Sequence, residues 1–209
     1  MYRELQEKVY ENKVKRNFNV SEVNKEITLM TEEFGELCDA YINGNHSEIA
    51  DAVGDIMIYC LGLTAMFKAD SDEIINNKNS LLGAIRRPKP AVLRSSLNRE
   101  FLELKTVGLK SGVLNPPVFN KDVEQPKEPE SLRDYFPYIG RELGMVAKTY
   151  KKSNKKTVDE IDERDEFLKY LGNLMGYCSQ IFQHLKVSEM EILEQIIYNN
   201  TIRTHQGKI

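Results

Sequence analysis

The chain has 209 residues, of which 41% are apolar, and a formal net charge of -3. That is enough for one large or two small cores, and the mildly acidic balance argues against nucleic acid as a partner. The longest apolar run, near residues 56–67, is interrupted by Gly62 and Thr64 and reads as too short for a membrane span, so no membrane partner and a cytoplasmic location are expected.

Helices are predicted almost throughout. An amphipathic helix over 2–17 presents Leu5 and Val9, and two longer helices follow at 21–42 and 47–67, separated by Asn43-Gly44-Asn45, a glycine stop and turn. A closing helix over 70–85 opens with the capping box Asp70-x-x-Glu73, and Pro88 and Pro90 end that unit. Pro90 also opens a helix at 91–106. Residues 108–130 hold Pro116, Pro117, Pro126 and Pro129 among many charges and read as an exposed linker. Helices resume over 131–151, 158–186 and 188–204, the middle one opened by Thr157-x-x-Glu160. The expected organisation is therefore all-α, with units at 1–87 and 131–209 joined by 88–130. Cys60 and Cys178 read as reduced core packing rather than as disulfides or zinc ligands.

Carboxylates interrupt the apolar pattern at two places, and burying an ionised carboxylate is costly unless it is paired or holds a metal. On the helix over 21–42, Ile27, Met30, Phe34, Leu37, Cys38 and Tyr41 form one stripe, with Glu33 and Glu36 on its flank about 60° apart. On the next helix Glu48, Asp51 and Asp55 fall within about 60° of one another. The hairpin turn lets the two sets face each other, and no Lys or Arg occurs from Asp51 to Phe67. Oxygen-only ligation of this kind suits Mg²⁺, with Mn²⁺ as an alternative. Glu22, Glu26, Glu32 and Asp39 read as solvated surface charges.

The segments Met30-Thr31-Glu32-Glu33-Phe34-Gly35-Glu36-Leu37 and Asp51-Ala52-Val53-Gly54-Asp55-Ile56 resemble those of the all-α nucleoside triphosphate pyrophosphohydrolases, a group that includes MazG-like proteins and dimeric dUTPases. The family pattern is Glu-x-x-Glu on one helix and Glu-x-x-Asp on the next. The chain departs from it at Ala52, where an acid is usual, and the role passes to Asp51, with Glu48 in reserve. The resemblance covers about residues 15–85.

Further along, Glu33, Gly35, Tyr41 and Asn45 recur as Glu142, Gly144, Tyr150 and Asn154, and Gly54, Met57, Tyr59, Cys60, Lys68, Glu73 and Ile74 recur as Gly172, Met175, Tyr177, Cys178, Lys186, Glu191 and Ile192. This pattern predicts an internal duplication. In the second copy Glu36, Asp51 and Asp55 have become Met145, Lys169 and Asn173. The second copy is thus expected to be degenerate, packing on the first without an ion.

The resemblance implies hydrolysis of a (deoxy)nucleoside triphosphate to the monophosphate and pyrophosphate, with Glu33, Glu36, Asp51 and Asp55 as both the catalytic and the metal-holding set. It draws Lys78 and Asn79, which follow the second acidic motif, toward the phosphates. Arg16 and Asn17 are further candidates, and Lys25, Arg86 and Arg87 are nearby cations. Phe18 and Tyr59 could stack on a base. Alternatives are a dUTP- or dCTP-specific pyrophosphatase and a nucleotide-binding regulatory protein with little turnover. A homodimer is expected from the resemblance, and apolar residues Ile181, Phe182 and Leu185 beside Ile192, Ile196 and Ile197 would permit it.

Overall fold

The computed structural model describes residues 1–76, 131–152 and 164–202. The helix expected at 91–106, the linker at 108–130, the Thr157-x-x-Glu160 box, and Lys78, Asn79, Arg86 and Arg87 lie outside the described residues. Among those described, every regular element is an α-helix: α1 (Tyr2–Lys15), α2 (Val23–Ile42), α3 (His46–Met66), α4 (Ser71–Asn76), α5 (Leu132–Lys152), α6 (Arg164–Leu185) and α7 (Glu189–Ile202). They belong to a single compact unit made of Met1–Gly83 and Ser131–Ile209.

Two antiparallel hairpins form the centre, α2 with α3 and α5 with α6, and α3 lies directly against α6. The first hairpin turns where the sequence predicts. Gly44 adopts φ +67, a left-handed conformation that glycine reaches without strain. There the Asn45 amide donates to Ala40 O at 2.9 Å, and Asn45 Oδ1 accepts from the Glu48 amide at 3.3 Å, capping α3.

Both inner helices end alike. Lys68 and Lys186 follow α3 and α6 at φ 51 and φ 58. In each case the next amide reaches back five residues, Ala69 to Thr64 O and Val187 to Phe182 O. Beyond α3, Phe67 stacks on Phe167 with ring centroids 4.5 Å apart, and the Arg164 guanidinium donates to Phe67 O at 2.9 Å. One side chain thus joins the two hairpins at the end of α3.

The closing helices are exchanged: α4 packs on α6, and α7 packs on α3 and α1. Two glycines admit them. A Cβ at Gly54 would stand 2.3 Å from Ile196 Cδ1 of α7, and one at Gly172 would stand 2.3 Å from Ile74 O of α4. Each approach depends on the missing side chain.

Three expectations require correction. Glu26 is not a surface charge: it is 1% exposed, ion-paired with Lys13 of α1, and accepts from Asn19 Nδ2 at 2.9 Å. A Cβ at Gly62 of α3 would stand 3.0 Å from Lys13 Cε, so that glycine leaves room for the buried pair. The apolar run around 56–67 is part of a longer element, since α3 spans 21 residues and is long and apolar enough to cross a membrane. Its apolar window is 78% buried inside the helical unit, as expected of a core helix apolar on all faces. Finally, the apolar residues counted as available to a partner chain are covered from within: Ile181, Phe182 and Ile196 are buried, and Leu185, Ile192 and Ile197 pack against the same core.

Candidate active site

The acids lie at the open side of the α2/α3 hairpin. Apolar periodicity turns Ile27, Met30 and Leu37 of α2 into the core, with Phe34 and Cys38 half-covered and Tyr41 exposed against the edge of Phe136. This orientation leaves Glu33 half-buried and Glu36 exposed. On α3, Asp55 is half-buried and less enclosed than its apolar neighbours imply, while Asp51 and Glu48 are exposed. Ala52, at the position where the family pattern has an acid, is buried.

Four of these groups, Glu33, Glu36, Asp51 and Asp55, are coupled electrostatically. The Glu33 carboxyl is pushed from its ordinary value of 4.5 up to about 8, first by burial and then by the charges of Asp55, Glu36, Asp51 and Glu32. Charges from both helices therefore converge on one carboxyl. Tyr59, one helical turn beyond Asp55, is half-buried, and its hydroxyl is raised above the usual phenol range by burial, then by Glu33 and Asp55. Its ring also receives the Lys13 ammonium at 5.4 Å from the centroid. Lys13 and Glu26 thus stand behind the acidic face. Sequence reading passes over Lys13, because its partners lie on two other helices, Glu26 on α2 and Tyr59 on α3.

Of the cationic and amide candidates, Arg16 is half-buried, donates to Thr201 O at 2.8 Å and covers the Phe18 ring at 5.2 Å. That contact places a guanidinium at the C-terminal end of α7, where the helix dipole favours a cation. Asn17 is exposed at φ 54 and terminates α1, a position that asparagine tolerates better than most residues.

Among the described residues, no three His, Cys, Asp or Glu side chains stand close enough to hold a metal ion as placed. The donor chemistry fits a hard divalent cation nonetheless, because the facing groups are all carboxylates and a cation would neutralise the charges that raise Glu33. Holding an ion would require the carboxylates to draw together, and Glu36 and Asp51 are exposed enough to do so.

The second hairpin places a different set at the matched positions. Glu142 is fully buried, its Oε2 accepts from Asn173 Nδ2 at 3.0 Å, and its Oε1 is ion-paired with Arg141. Burial raises its carboxyl, while Asn173, Arg141 and Lys169 each act to lower it. Met145 and Lys169 occupy the positions matched to Glu36 and Asp51.

No curated protein and no solved structure matches the chain. Residues 2–79, which hold α1 to α4 and both acidic segments, match the family described as phosphoribosyl-ATP pyrophosphohydrolase, a family of the MazG-like all-α superfamily. The match covers less than half of the chain, and the similarity belongs to its first part.

Proposed function

We propose that the chain is a nucleotide pyrophosphohydrolase that converts a (deoxy)nucleoside triphosphate or a related nucleotide to its monophosphate and pyrophosphate, using the acidic face of the first hairpin. The observation that carries this reading is that the charges of Asp55, Glu36 and Asp51, from two helices, act on Glu33 within the segment that matches a pyrophosphohydrolase family. Glu33, Glu36, Asp51 and Asp55 would hold Mg²⁺ or Mn²⁺, with Glu48 one turn further out. When bound, such an ion neutralises phosphate charge and lowers the pKa of a bound water.

Glu33 is the general base in this scheme. It lies deeper than Glu36, so once a bound cation offsets the neighbouring charges and leaves it ionised it can take the proton of the attacking water and hold it out of bulk solvent. Asp55 orients from the facing helix, and Tyr59 closes the inner side of the site. The second half acts as a structural repeat without an ion. Matched helix ends at Lys68 and Lys186 and the reciprocal glycine contacts support reading it as a duplication.

The test is a screen of the full chain with Mg²⁺ or Mn²⁺ against all NTPs and dNTPs and phosphoribosyl-ATP, following pyrophosphate release. Turnover confined to dUTP or dCTP would narrow the activity. A second reading, nucleotide binding with little turnover, is favoured by the buried Ala52 and by carboxylates that do not converge as placed. Nucleotide binding without pyrophosphate release would select it and overturn the first.

A further inference from the structure

One tight approach of the second half to the first lies next to an acid. Gly54 immediately precedes Asp55, and a Cβ there would meet Ile196 Cδ1 at 2.3 Å and Ile192 Cγ2 at 3.3 Å, both from α7. On a helix the two positions differ by about 100°, so α7 presses one side of α3 while Asp55 occupies an adjoining side. α3 also packs against α2, which carries Glu33, and against α1 and α6. Packed interiors transmit such contacts, because displaced helices cannot be absorbed by empty space.

The second hairpin repeats the arrangement. Gly172 immediately precedes Asn173, is approached by Ile74 of the exchanged helix α4, and Asn173 donates to Glu142 across its hairpin. In both halves a closing helix rests on a glycine beside the residue that faces the matched glutamate of the same hairpin, Glu33 or Glu142. The contact differs in kind. At Gly172 it is made by backbone, whereas at Gly54 it is made by the tip of a side chain.

We propose that Ile196, seated on Gly54, is a positioning residue for the acidic site: it sets how closely Asp55 approaches Glu33 and thereby tunes divalent-cation affinity. The inference rests on the metal-binding reading above. The second half would then contribute to the site without contributing a ligand.

A steric swap tests this by Mn²⁺ titration of the full chain, read by calorimetry at a temperature where circular dichroism shows each variant folded. Gly54→Ala adds the clashing methyl and should weaken Mn²⁺ binding about tenfold, the scale on which small misplacements of a site act. Ile196→Val removes Cδ1, so Gly54→Ala combined with Ile196→Val should return to within about threefold of the parent. Gly35→Ala, where an added Cβ meets nothing within 4 Å, is the control for a glycine change in the same hairpin and should leave the affinity unchanged.

Unchanged affinity in Gly54→Ala, or no recovery in the double variant, would overturn the proposal. Should Gly54→Ala fail to fold, Ile196→Ala replaces it, since emptying the seat should also weaken Mn²⁺ binding, and unchanged affinity there would likewise overturn it. Glu33→Gln separates the two levels. If the parent binds Mn²⁺ and Glu33→Gln does not, failure of the swap defeats the positioning role alone; if the parent binds no Mn²⁺, the metal reading falls and the positioning role with it.

Discussion

The two hairpins place a glutamate on the outer helix and a short polar residue on the inner helix, yet they resolve the resulting charge in opposite ways. In the second, Asn173 and Arg141 meet Glu142, and the polar cluster is satisfied within the chain. In the first, Glu33 faces Asp55 with Glu36 and Asp51 close by, and burial, then the accumulated negative charge, drives the Glu33 carboxyl up to about 8. The exchange of three acids, Glu36, Asp51 and Asp55, for Met145, Lys169 and Asn173 separates a satisfied polar contact from a cluster of mutually repelling carboxylates. A buried carboxylate is tolerated where its partners are built in, and becomes useful where they are supplied from outside.

The largest expected effect comes from making the first hairpin like the second. Asp55→Asn keeps volume and removes a charged ligand, and should lower pyrophosphate release by about 10³-fold, roughly 4 kcal/mol, with the fold retained. Steady-state assays and circular dichroism on the same sample check this. Loss of helical signal in step with activity would make Asp55 structural instead. Lys169→Ala, at the matched position of Asp51, should stay within a few-fold of the parent.

The reverse change should damage stability rather than activity. Asn173→Asp replaces the donor to a fully buried Glu142 with a second carboxylate and should cost about 3 kcal/mol in urea unfolding at neutral pH. A cost near zero would mean that Arg141 and Lys169 neutralise both charges.

The comparison also predicts a pH dependence. Glu33 has a folded pKa of about 8 against an ordinary 4.5, so between these values the folded state holds a proton that the unfolded state has released. Stability of the metal-free protein should therefore fall as pH rises from about 5 to 8 and level off above. Below the ordinary value the difference disappears, since both states are protonated. Thermal melts across that range should show the decline, and Asp55→Asn should flatten it by removing the largest of the charges acting on Glu33. A Tm that climbs with pH would contradict the assignment.

The smallest effects concern Gly35 and Gly144, matched helix positions at which a Cβ would meet nothing within 4 Å. Alanine at either should stabilise by about 0.5–1 kcal/mol, because only the unfolded-state freedom of glycine is lost. Equal gains would sharpen the equivalence of the two outer helices, and a loss at either would show a constraint on that surface.

Much of this was legible in sequence because it is local. The α2/α3 hairpin follows from helical periodicity and from Gly44, and the matched acids follow from spacing along single helices. Glu26 reads as a surface charge for a physical reason: Glu22, Asn24 and Lys25 around it are polar, and its burial depends on Lys13 from α1 and on the space left by Gly62 of α3. The apolar residues of α6 and α7 looked available to a partner chain because a single helix does not reveal what covers it.

Sequence alone determined the all-α class, the hairpin turn and the residue types at the two glutamate sites, because propensity, capping and side-chain periodicity act over a few residues. Tertiary structure decided which helix covers which: α7 rests on Gly54, α4 rests on Gly172, and Lys13 is drawn under Tyr59. Those choices depend on shape complementarity between segments far apart in the sequence, and on cavities that exist only once the helices have met.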